Sequence, residues 1–132
     1  MKIFGAATLV AIIISVPALR AQNSQLAGTT RTELQRHDLS TPGREMVQAR
    51  VGLAPGAEAA RHSHPGEEIV YVLQGSLEYR LEGSSPVTLG VGEVLFVPAG
   101  VAHSVRNVGR DNAVELATYI VEKGKPLLVP AG

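Results

Sequence analysis

From Arg44 onward the chain is a series of short runs of aliphatic and β-branched residues, broken by turn signals about every ten positions. The runs are "REMVQARVGL", "EEIVYVLQ", "SLEYRLEG", "PVTLGVG", "EVLFVPAG", "HSVRNVG" and "AVELATYIVE", and the breaks between them carry Gly, Pro, Ser and Asn. No stretch after residue 22 sustains the 3.6-residue period of a long amphipathic helix. The pattern predicts an all-β domain over residues 44–125, closed as a small barrel or jelly roll so that few strand edges stay open. Residues 22–43 are polar with scattered leucines and read as a linker and N-terminal arm, with "ELQRHDL" a short leading strand. Residues 126–132 read as a C-terminal tail.

The first residues follow a different rule. "MKIFGAATLVAIIISVPALRAQ" has one lysine, then an apolar run from Ile3 to Val16, then small residues at Ala18 and Ala21. That order predicts a secretory signal peptide over residues 1–21, and so an exported protein, periplasmic or secreted. At about fourteen residues the run is short for a spanning helix, which needs about 20. An uncleaved anchor is the alternative, and the one route to a membrane.

Composition narrows the chemistry. The 132 residues suit one domain, with a core built from Val, Leu, Ile and Ala because aromatics are only 4%. Twelve basic and twelve acidic side chains cancel, so charge gives no case for a nucleic-acid partner. The absence of cysteine excludes disulfides, thiolate metal sites and cysteine nucleophiles. "GSSPVTLGVG" is glycine-rich but lacks the lysine and helix of a phosphate loop, and reads as a hairpin connection.

Candidate chemistry centres on "RHSHPGEEIVYVLQG". His62 and His64 are two apart, so on an extended segment they project from one face. Glu68 follows His64 by four, but Pro65 and Gly66 argue against helix and favour a turn with a return strand. That hairpin brings the carboxylate back over two imidazoles, a donor set suited to Fe, Mn, Co, Ni, Cu or Zn. A further histidine, His103, opens a strand after a Pro-Ala-Gly turn.

Both segments together resemble the cupin family. Its first motif is matched by Gly56, His62, His64, Glu68 and Gly75, and its second by Gly92, Pro98, Gly100, His103 and Asn107, at allowed spacings. The resemblance implies a jelly-roll barrel of the small single-domain type, with His62, His64, Glu68 and His103 as ligands of one divalent transition metal. It also implies open coordination positions for a small-molecule substrate, with Glu68 a candidate catalytic base as well as a ligand. Glu67 falls outside the spacing and is expected on the surface beside a base. His37 lies outside both motifs. Strand parity from Glu68 and His103 turns Val70, Val72, Val105 and Asn107 inward. Gln48, Arg50, Tyr79 and Phe96 complete the expected pocket, while Tyr71 and Tyr119 are expected between sheets or at a subunit interface.

The leading functional expectation is a metal-dependent dioxygenase of the quercetin dioxygenase-like kind. The alternatives are isomerase, decarboxylase or lyase chemistry at the same metal, and a cupin that only binds a ligand or holds a metal. The resemblance also implies a homodimer, formed by sheet packing or by exchange of residues 32–40.

Overall fold

A computed structural model describes residues 27–132; the expected signal peptide lies outside the described residues. The described residues form ten strands: β1 (Thr29–Asp38), β2 (Arg44–Leu53), β3 (Glu58–Ser63), β4 (Gly66–Gln74), β5 (Leu77–Leu81), β6 (Val87–Leu89), β7 (Val94–Val97), β8 (His103–Asn107), β9 (Ala113–Glu122) and β10 (Val129–Pro130). They form two antiparallel five-stranded sheets, ordered β1-β2-β9-β4-β7 and β10-β3-β8-β5-β6. The inner faces of both sheets meet in one core that includes Val47, Leu53, Val70, Val72, Leu77 and Val105. Each such aliphatic side chain contributes about 1.5–3 kcal/mol by leaving water.

Turns at the strand ends follow the glycines. Gly56, Gly75, Gly92 and Gly100 all have positive φ, where a Cβ is strained. Asn107 closes the second hairpin from inside: its Nδ2 donates to the carbonyls of Leu53 and Asp111, and its Oδ1 accepts from the Gly109 amide.

The segments on either side of the barrel are more ordered than their polarity suggests. Residues 29–38, within the expected linker and arm, form a ten-residue strand along the chain's own β2. Its positions opposite the buried Val51, Ala49 and Val47 are Arg31, Glu33 and Arg36, so charged residues occupy the inward parity. Arg36 meets the buried Glu45 carboxylate at 2.5 Å, which places that charge acceptably. At the other end, Val129 and Pro130 pair with Ser63 and His62 of β3.

Candidate metal centre

Three segments deliver the candidate ligands to one end of the barrel. His62 sits near the end of β3 and is paired with His103 at the start of β8. His64 follows directly, and β4 returns Glu68 opposite Tyr119 of β9 and Val97 of β7. The Pro65–Gly66 step is what allows the return, because Gly66 packs its α-carbon against the backbone of β9. All four side chains are buried, each at 6% exposure or less. The imidazole centroids lie 4.4–5.2 Å apart, and one ring nitrogen from each of the three lies within 4.8 Å of the others.

The ring orientations decide what this cluster can do. Nδ1 of His62 lies 2.7 Å from the Ala60 carbonyl, Nδ1 of His64 is 2.6 Å from that of Leu127, and Nδ1 of His103 is 3.0 Å from that of Val101. A carbonyl only accepts, so each Nδ1 carries the proton and each neutral ring presents a lone pair at Nε2. Those Nε2 atoms of His64 and His103 face Glu68 Oε2 at 3.3 and 3.1 Å. Neither approach has hydrogen-bond geometry: His64 Nε2 and Glu68 Oε2 are both buried without a hydrogen-bond partner among the described residues. Lone pairs aimed at a carboxylate inside a barrel need a proton or a cation between them. The donor set fits a divalent transition metal, with second ring nitrogens fixed by carbonyls as metal-binding histidines commonly are.

Electrostatics without a metal tells the same story. Burial alone raises the Glu68 carboxyl, but the facing His103 and His64 outweigh it and hold it at about 2. Burial lowers His62 to about 4, keeping it neutral. His103 is also pushed down by burial, yet the Glu68 carboxylate wins and its affinity for a proton rises. The ionised Glu68 carboxylate is thus the group that draws positive charge into the cluster, as a proton on His103 or as a metal ion.

The expected pocket divides cleanly. Val70, Val72, Tyr79 and Val105 are buried and turn inward, with Tyr79 and Val105 lining a cavity of about 30 Å³ beside the histidines. Gln48, Arg50 and Phe96 do not join it. The buried positions of β2 are Glu45, Val47, Ala49, Val51 and Leu53, which puts Gln48 and Arg50 on the outer face. There Gln48 donates to Thr118 and accepts from Gln35. Phe96 pairs with the outward Ile69 and is 57% exposed. Glu67 also faces out, 3.1 Å from Arg44, and His37 is exposed on β1.

Besides the apolar Val51, Ala59 and Leu128, three residues with polar side-chain groups escape the sequence reading of the pocket: Arg31, Glu115 and Tyr119, all of which line the same cavity. The Tyr119 ring lies 4.7 Å from that of His64, and the Arg31 guanidinium carbon is 5.7 Å from the Tyr119 centroid. Glu115 is fully buried, and burial together with the Glu68 charge raises its carboxyl well above the usual range, so it is held neutral. The signal missed is the parity of "AVELATYIVE". Its inward set is Ala113, Glu115, Ala117, Tyr119 and Val121, less apolar than Val114, Leu116 and Ile120 on the alternate positions.

Comparison with known proteins places this geometry. The family model for the cupin domain matches residues 49–119. The dimethylsulfoniopropionate lyase DddQ of Ruegeria pomeroyi is 43% identical over 49 residues, 37% of this chain and 24% of that protein. An oxalate-binding protein of Thermotoga maritima is 36% identical over 74 residues, 55% of this chain and 60% of that protein. The chain therefore spans from about a quarter to three-fifths of these relatives' lengths. Among solved structures, an oxalate oxidase superposes with a TM-score of 0.63 at 29% identity, over 77% of this chain and 54% of its own. Two antiparallel sheets, two complete motifs and a domain match across most of the barrel make this chain a member of the cupin family.

Proposed function

We propose that this protein is an exported, mononuclear metal-binding cupin, and an enzyme that acts on a small oxygenated organic molecule at the metal. His62, His64, His103 and Glu68 would hold the metal, which when bound supplies Lewis-acid or redox chemistry to a coordinated ligand. The observation that carries this reading is the set of three Nδ1–carbonyl contacts, which leave each Nε2 free to ligate, with those of His64 and His103 facing one buried carboxylate oxygen. Glu68 has a second task available, since its side chain lines the cavity and a carboxylate there can take a proton from a ligand. Oxygenase chemistry is the leading reaction class and lyase chemistry the second, favoured by the likeness to a dimethylsulfoniopropionate lyase. The narrow cavity beside the histidines favours substrates of a few heavy atoms over flavonol-sized ones. Purified protein lacking residues 1–21 should carry about one first-row metal per chain. Oxygen uptake with small hydroxy acids, diketones and catechols supports the oxygenase; metal-loaded protein that consumes none of them but eliminates from a small acid supports the lyase.

The same reading includes a homodimer. The outer face of the first sheet carries an apolar patch at its β4–β7 edge, with Ile69, Tyr71 and Leu73 of β4 beside Val94 and Phe96 of β7, each 41–63% exposed. Contiguous apolar surface of this kind marks an interface between chains. Because β1 lies on its own β2, this face, and not strand exchange, is the proposed contact. Sedimentation should give a dimer, and Phe96→Glu should give a folded monomer; a wild-type monomer at micromolar concentration would remove the dimer from the proposal.

A further inference from the structure

The cavity beside the metal residues is lined by more hydrogen-bond donors than the protein uses. Arg31 reaches it from β1, outside the residues matched by the cupin domain. Its Cα sits opposite Val51, in a cross-strand row that continues through Glu115 to Val72. The next inward row carries Ala49 and Ala117, both fully buried, and the guanidinium extends past these small side chains to Tyr119. Nε and Nη2 of Arg31 are buried there with no hydrogen-bond partner among the described residues. Tyr79 Oη, on the opposite sheet, is likewise buried and unpartnered, and lines the same cavity. A guanidinium has donors only, and burying them unmet is costly. Glu115 does not supply the missing acceptor, since its own Oε2 is unpartnered too.

We infer that Arg31 and Tyr79 form a carboxylate-recognition site facing the metal centre, so that the ligand is a small carboxylic acid with a second oxygen for the metal. The small space favours the pairing. At about 30 Å³, with Arg31, His62, Glu68 and His103 all on its walls, the cavity gives a ligand of a few heavy atoms contact with both ends. Two N–H groups of one guanidinium match the two oxygens of a carboxylate, which a neutral amide cannot imitate. This inference rests on the metal-centre reading above, and it assigns the substrate class that reading leaves open.

The test uses glycolate and its uncharged isostere glycolamide as probes, titrated calorimetrically into the metal-loaded wild type, with metal content measured first. Glycolate should bind at least about tenfold more tightly than glycolamide, as expected for a charge-assisted pair. Arg31→Gln should retain its metal, lose glycolate affinity by about ten- to a hundredfold, and leave glycolamide unchanged; Arg31→Lys should restore only part of the difference. Equal binding of the two probes by metal-loaded wild type overturns the carboxylate site while leaving the metal centre standing, and needs no variant to fold. Arg31→Gln that binds glycolate like wild type overturns the role of Arg31. Wild type that takes up no metal sinks the metal-centre reading and this inference with it.

Discussion

His103→Ala is expected to lower metal affinity by more than about a hundredfold, beyond what loss of an outer hydrogen-bond partner of a ligand costs. His103 sits opposite His62 across the β3–β8 pair and approaches Glu68 Oε2 to 3.1 Å, so it closes the cluster from the second sheet. Its loss leaves two donors from one short segment and a carboxylate with one imidazole neighbour. A second effect appears without metal. His103 compensates the buried Glu68 charge, and removing one partner of a buried pair costs about 3–5 kcal/mol. Metal-free His103→Ala should therefore melt well below metal-free wild type, whereas His37→Ala, on the exposed β1, should match wild type in both metal content and midpoint. Elemental analysis after dialysis and thermal unfolding with and without chelator separate the two effects. Metal retention equal to wild type would discard His103 as a ligand.

Acidification should mimic that substitution reversibly. Metal binding requires all three imidazoles neutral at Nε2, so protons compete with it below about pH 6.5, where unperturbed histidines titrate. His62, lowered by burial to about 4, resists this competition, while His103, raised by Glu68, yields to it first. Affinity should hold above neutral pH and fall progressively below it. Removing the metal with a chelator should lower the thermal midpoint, because the metal binds the folded protein alone.

The sequence made the strands from Arg44 onward legible because glycine and proline turns punctuate them at regular intervals, and the structure keeps nearly the same runs. His62, His64 and Glu68 were legible as a candidate cluster for a related reason, since His-x-His on an extended segment, a Pro-Gly step and a return strand set their relative positions locally; His103 joined them only through the resemblance to the second cupin motif, because its place depends on pairing across β3 and β8. What escaped depends on pairing between distant strands. Arg31 becomes a cavity residue only because β1 registers it against Val51, and nothing within "TTRTELQRHD" reveals that partner. Glu115 was hidden because the outward positions of β9, with Val114, Leu116 and Ile120, are more hydrophobic than its inward ones; Tyr119 packs between the sheets as expected, and only its place on the cavity wall was not legible. Gln48 and Arg50 were a different failure, since the run Val47, Ala49, Val51 and Leu53 marks the inward parity and leaves both of them outside. Phe96 has an aromatic ring suited to a pocket, but its pairing with the outward Ile69 turns it to the surface.

The same dependence on strand pairing makes Gly66→Ala the most damaging small substitution expected here. Gly66 opens β4 opposite Val121 of β9, two residues before Glu68. A Cβ at this position would collide with the carbonyl oxygen of Ile120 and lie 2.7 Å from the Cα of Val121. Both obstacles are backbone, so no side chain can rotate away; either β4 or β9 must move. Overpacking against backbone should cost at least about 3 kcal/mol. That lowers the thermal midpoint by about 10–20 °C in a domain of this size. Gly90→Ala is the internal control. It has negative φ, and its added methyl would meet only Glu93 Oε2 at 3.6 Å, an ordinary contact. There the reduced freedom of the unfolded chain should leave stability unchanged or raised by up to about 1 kcal/mol. One extra methyl thus has opposite signs at two glycines, decided by what stands in front of the α-carbon. Displacement of β4 also shifts Glu68 against His64 and His103, so Gly66→Ala should lose metal affinity even where it still folds. A midpoint within a few degrees of wild type, with metal retained, would show that β4 and β9 are not packed as closely as the backbone at Gly66 requires.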